Sequence, residues 1–76
     1  MKVLGDFTIS LAAARVNAGM TQEDVAKKMQ MSKNIIIDME LGRRELKPHE
    51  FAYLCDLYKV SKDLIRLPSM STESLT

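Results

Sequence analysis

The sequence has a single cysteine, Cys55, so no internal disulfide can brace the fold and a reducing compartment suits it. It has no apolar run approaching the ~20 residues a membrane span needs. The opening MKVLGDFTIS lacks the apolar core of a secretory signal, so a cytoplasmic location is expected, without a membrane partner. An excess of either charge is also missing. Eleven basic residues face ten acidic ones, for a net charge of +1, so any nucleic acid would have to be held by a local patch. There is no internal repeat and no strand signal of useful length. A nucleophile–base pair, paired carboxylates and a phosphate-binding loop are all lacking, so no catalytic residues, small-molecule ligand or cofactor are implied. His49 and Cys55 stand six apart in sequence without further ligands, so ordinary surface and core roles are expected for them and no metal.

What is present suits one small helical domain. The chain is 76 residues long, 46% hydrophobic and 28% charged, enough for one modest core. In TISLAAARVNAG, Leu11, Ala14 and Ala18 recur at helical spacing, with Thr8 as the expected cap and Gly19 as the terminator. TQEDVAKKM opens on Thr21, with Asp24 three residues on as in a capping box, and presents Val25, Ala26 and Met29. After the brief turn QM, Ser32 caps a third helix that ends at Gly42. Pro48 suits the first turn of a fourth helix carrying Phe51, Leu54, Cys55 and Tyr58 on one face. Ser61 opens a short fifth helix, Pro68 stops it, and residues 68–76 read as a disordered tail. The expectation is an all-α fold of five short helices over residues 1–67.

The segments GMTQEDVAKKMQMS and FAYLCDLYKVSKDLI, with Glu40 followed by Gly42 between them, resemble the Cro/C1-type helix-turn-helix family of phage repressors. The resemblance runs from about Leu11 to Leu67 and implies a lambda-repressor-like DNA-binding domain. In such domains the second helix of the motif lies in the major groove while the first crosses the backbone. The resemblance places Val25, Met29, Met31, Ile36 and Met39 inside, and makes Arg15 and Glu40 a structural salt bridge. It puts Gln22 on a phosphate at a helix N-terminus. Ser32, Lys33 and Asn34 fall at the base-reading end, where Lys can donate to guanine and Asn can pair with adenine. Arg43 and Arg44 flank the site as phosphate contacts.

Three consecutive isoleucines, Ile35 to Ile37, cannot all face one core, because successive helical residues point about 100° apart. Ile36 is assigned to the core and Ile35 to partial packing. Ile37 falls on the stripe Lys33, Asn34, Ile37, Asp38 and Leu41, the face such a family member lays into DNA. Ile37 can touch a thymine methyl, and Asp38 is repelled by phosphate unless it accepts from a cytosine amino group. Ile37, Asp38 and Leu41 equally suit a protein interface, with Asp38 opposite a basic partner. Two functions follow. One is a transcriptional regulator of the phage-switch type that binds operator DNA and acts with a partner repressor. The other is a modulator that covers a repressor through this face, with an antitoxin as a further alternative. A homodimer is compatible with each.

Overall fold

The computed structural model describes residues 8–68; of the tail expected at 68–76, all but Pro68 lies outside the described residues. Four α-helices follow in order: α1 (Leu11–Asn17), α2 (Gln22–Met29), α3 (Lys33–Leu41) and α4 (Pro48–Tyr58). A 3-10 turn at Lys62–Leu64 closes the series among the described residues. Two short strands, β1 (Ile9–Ser10) and β2 (Ile65–Arg66), pair in parallel with Ile9 opposite Ile65.

That pairing accounts for the departures from the expected five helices. The fifth helix is the 3-10 turn. Ser61 Oγ accepts from the Asp63 N–H at 3.2 Å, but Ile65 is extended and buried against the rest of the core, so the helix cannot continue. At the other end, Ile9 and Ser10 are extended by the same pairing, which delays α1 until Leu11. Ser10, not Thr8, is therefore the cap, and its Oγ accepts from the Ala13 N–H at 3.0 Å. Thr8 Oγ1 instead accepts from Arg66 Nη1 at 3.1 Å. Two-residue strands are too short for alternation to register in a sequence.

The remaining boundaries follow local chemistry. Thr21 and Asp24 form a reciprocal capping box at α2, with bonds of 2.9 and 3.0 Å. Ser32 Oγ accepts from the Ile35 N–H at the start of α3. Gly42 ends α3 in the left-handed conformation, at φ 80°. Its Cα lies so close to Pro68 that an added Cβ would stand 2.8 Å from the Pro68 Cβ. Gln30, between α2 and α3, is also left-handed, at φ 58°.

Every helix contributes to one core. Leu11 and Ala14 come from α1, Val25 and Ala26 from α2, Ile36 and Met39 from α3, and Leu54, Cys55 and Tyr58 from α4. Ala18, placed on the inner stripe by its spacing, is exposed because it is already the residue ending α1. Met29, Met31 and Ile35 are partly buried against this cluster. Full burial of a side chain the size of Ile or Met contributes ~1.5–3 kcal/mol, so Val25, Ile36 and Met39 are large contributors to this core.

Candidate nucleic-acid interface

The angle of α3 is set from beneath by a polar network. Arg15 Nε donates to Glu40 Oε2 at 2.6 Å and Arg15 Nη2 to Glu40 Oε1 at 3.5 Å. Both side chains are largely shielded, at 12% and 8% exposure. Arg15 Nη1 donates to the Met20 carbonyl at 2.9 Å, and Gln22 Nε2 donates to Glu40 Oε1 at 3.0 Å. The Glu40 carboxylate thus ties α1 and the start of α2 to the end of α3, and Arg15 extends the link to the α1–α2 connection. Tyr58 lies near this network. Burial, with a further push from Glu40 and a smaller pull from Arg15, raises its phenol pKa to about 12.

The outward face of α3 begins with Ser32, Lys33 and Asn34, all exposed. Ile36 points inward and Ile35 leans on the core, while Ile37 is half-buried without joining it. Leu41 is 56% exposed. Asp38 lies on the same face, with Oδ1 3.7 Å from Arg43 Nη1. Beside the first turn of α3, an open groove of about 650 Å³ runs from Arg15 and Val16 past the N-terminus of α2 to Lys33.

Several residues are differently engaged from the roles the sequence suggests. The Gln22 amide bonds Glu40, so one of its donors is already occupied. Arg44 is turned away to Glu50, with Nη1 at 3.1 Å from Oε1 and Nη2 at 3.4 Å from Oε2. Glu50 is the buried charged residue among the described residues, at 4% exposure. Burial pushes its pKa up, but bonds from Arg44 and from the Lys47 N–H outweigh that and hold it below the usual value. Sequence reasoning missed this pair. Its signal was the spacing of Lys47, Pro48 and Glu50, which is that of a helix start with an acid in its first turn. Arg43 remains 70% exposed.

No group of three or more His, Cys, Asp or Glu able to hold a metal ion occurs among the described residues. Nor is any helix among them long and apolar enough to cross a membrane.

The model of a family described as a helix-turn-helix domain matches residues 6–67. No curated protein and no solved structure matches the chain. The matched span holds the α2–turn–α3 unit, the buried Arg15–Glu40 link and the exposed first turn of α3. The chain belongs to the helix-turn-helix domain family of DNA-binding regulators, in its Cro/C1-like group.

Proposed function

We propose that the chain is a transcriptional regulator of the phage-switch type, which lays α3 in the major groove of an operator and acts together with a partner repressor. The observation carrying this reading is the division of labour on α3. Ile36 and Met39 are buried, Glu40 is fixed by Arg15, and Ser32, Lys33 and Asn34 stand exposed at the leading end. A lysine and an asparagine there present donors for guanine and paired donor–acceptor groups for adenine. The N-terminus of α2 and Arg43 supply phosphate contacts on either side. Help from a partner fits the weakness of this electrostatic grip, since Arg44 is taken by Glu50 and the net charge is +1.

A second reading draws on Leu41 and Ile37. Leu41 is exposed and Ile37 stands outside the core one helical turn away, an apolar strip that a partner helix would cover. In this reading the protein is a modulator that occupies a repressor's own basic recognition surface, with Asp38 facing its Lys or Arg. Footprinting of the DNA flanking the gene, with and without a repressor encoded beside it, separates the two. Protection by the chain, alone or jointly with the repressor, supports the regulator. Loss of the repressor's own footprint on adding the chain supports the modulator.

A further inference from the structure

We infer that Asp38 is a specificity-determining residue that selects cytosine in the bound DNA. The inference rests on the DNA-reading function proposed above and adds a base preference to it.

Asp38 lies one turn beyond Asn34 on the outward face of α3, with Ile37 before it and Leu41 one turn further on. Its backbone carbonyl accepts from the Gly42 and Arg43 N–H groups, the latter at 2.8 Å. The left-handed turn at Gly42 thereby folds the chain back and brings the Arg43 side chain alongside Asp38. The guanidinium and carboxylate stand 3.7 Å apart, beyond hydrogen-bonding distance. No hydrogen bond to the Asp38 carboxylate is formed among the described residues. Asp38 therefore carries open acceptor sites on an exposed face, with a positive charge beside it that offsets its repulsion by phosphates.

An acceptor-only group is selective in the major groove. Guanine offers N7 and O6 and thymine offers O4, all acceptors, which repel a carboxylate. Adenine has an amino donor, but the neighbouring N7 repels the second carboxylate oxygen. Cytosine presents the N4 amino group without an acceptor beside it on the same base.

The test is selection of binding sites from a library of randomised duplex DNA with the full chain, as wild type, Asp38→Asn and Asp38→Ala. The Asp38 side chain is half-exposed, and matching far-ultraviolet dichroism of the three proteins confirms that folding is unchanged. Wild type is expected to enrich cytosine at one position of each site by about tenfold over other bases. Asp38→Asn, which adds a donor, is expected to move that position toward adenine, and Asp38→Ala to leave it without preference, the other positions being retained. Identical preferences at every position in all three proteins overturn the role of Asp38 while leaving DNA reading intact. Absence of any enriched sequence with wild type rejects DNA reading by the chain on its own, and the inference with it.

Discussion

Arg15→Ala removes both guanidinium donors from Glu40 and leaves its shielded carboxylate with Gln22. Stranding a largely buried charge in this way is expected to cost ~3 kcal/mol, read as a lower urea midpoint, whereas an unchanged midpoint would mean that the link does not fix α3. Glu50 gives a pH signature. Its folded pKa lies below the usual 4.5, so its contribution to stability is fully present above that value and is lost as pH falls through the lower folded value. The stability difference between wild type and Glu50→Gln is therefore expected to be largest near neutral pH and to shrink as the pH falls below the ordinary 4.5. Urea titrations across that range check it, and a difference independent of pH would contradict the ion pair with Arg44. These two pairs were unequally legible in the sequence. Arg15 and Glu40 stand far apart along the chain and were linked only through the family resemblance. The pairing of Arg44 with Glu50 is not legible, because a sequence shows a cation but not the buried acid that folding brings to it.

The turns at either end of α3 share a left-handed backbone but fill it with different residues, Gln30 at the start and Gly42 at the end. Gln30 holds a left-handed conformation that costs a non-glycine residue ~1–2 kcal/mol, in the turn where glycine is the more usual choice. Gln30→Gly is expected to stabilise the domain by about 0.5–1 kcal/mol after the greater unfolded-state entropy of glycine is subtracted, as judged by thermal melting. A lower melting temperature would show that the Gln30 side chain makes a contact worth more than the strain. Gly42→Ala meets two penalties, the left-handed backbone and the 2.8 Å approach to Pro68. Adding Pro68→Gly to it is expected to recover the steric part and leave ~1–2 kcal/mol of backbone cost. Helix starts and stops at Thr21, Ser32, Gly42 and Pro48 were legible because each is a local chemical signal within one turn of its helix. The start of α1 and the end of the chain's last helical turn were not, because both depend on the pairing of Ile9 with Ile65 across the whole domain.

At the scale of the whole molecule, few cations among the described residues stand near α3. Lys33 and Arg43 are exposed near α3, Lys28 stands at the end of α2, and Arg44 is neutralised by Glu50. The dependence of log K on log salt is expected to be shallow, with a slope of about −2 to −4 per chain. A much steeper slope, measured by fluorescence anisotropy at several salt concentrations, would reveal a basic surface not accounted for by these residues. The family and the α2–turn–α3 unit are legible in the sequence through motif order. The engagement of individual side chains was not, since Gln22, Asp38 and Arg44 each depend on a neighbour that only folding supplies. The claim that α3 reads DNA is tested most directly by anisotropy titration of wild type, Lys33→Ala and Asn34→Ala against the DNA flanking the gene and against a scrambled duplex. Wild type is expected to prefer the flanking DNA, and each substitution to weaken that binding by roughly 5- to 150-fold while leaving the scrambled duplex nearly unaffected by Asn34→Ala. Equal binding of the two duplexes by wild type, or full retention of the preference in both variants, would contradict it.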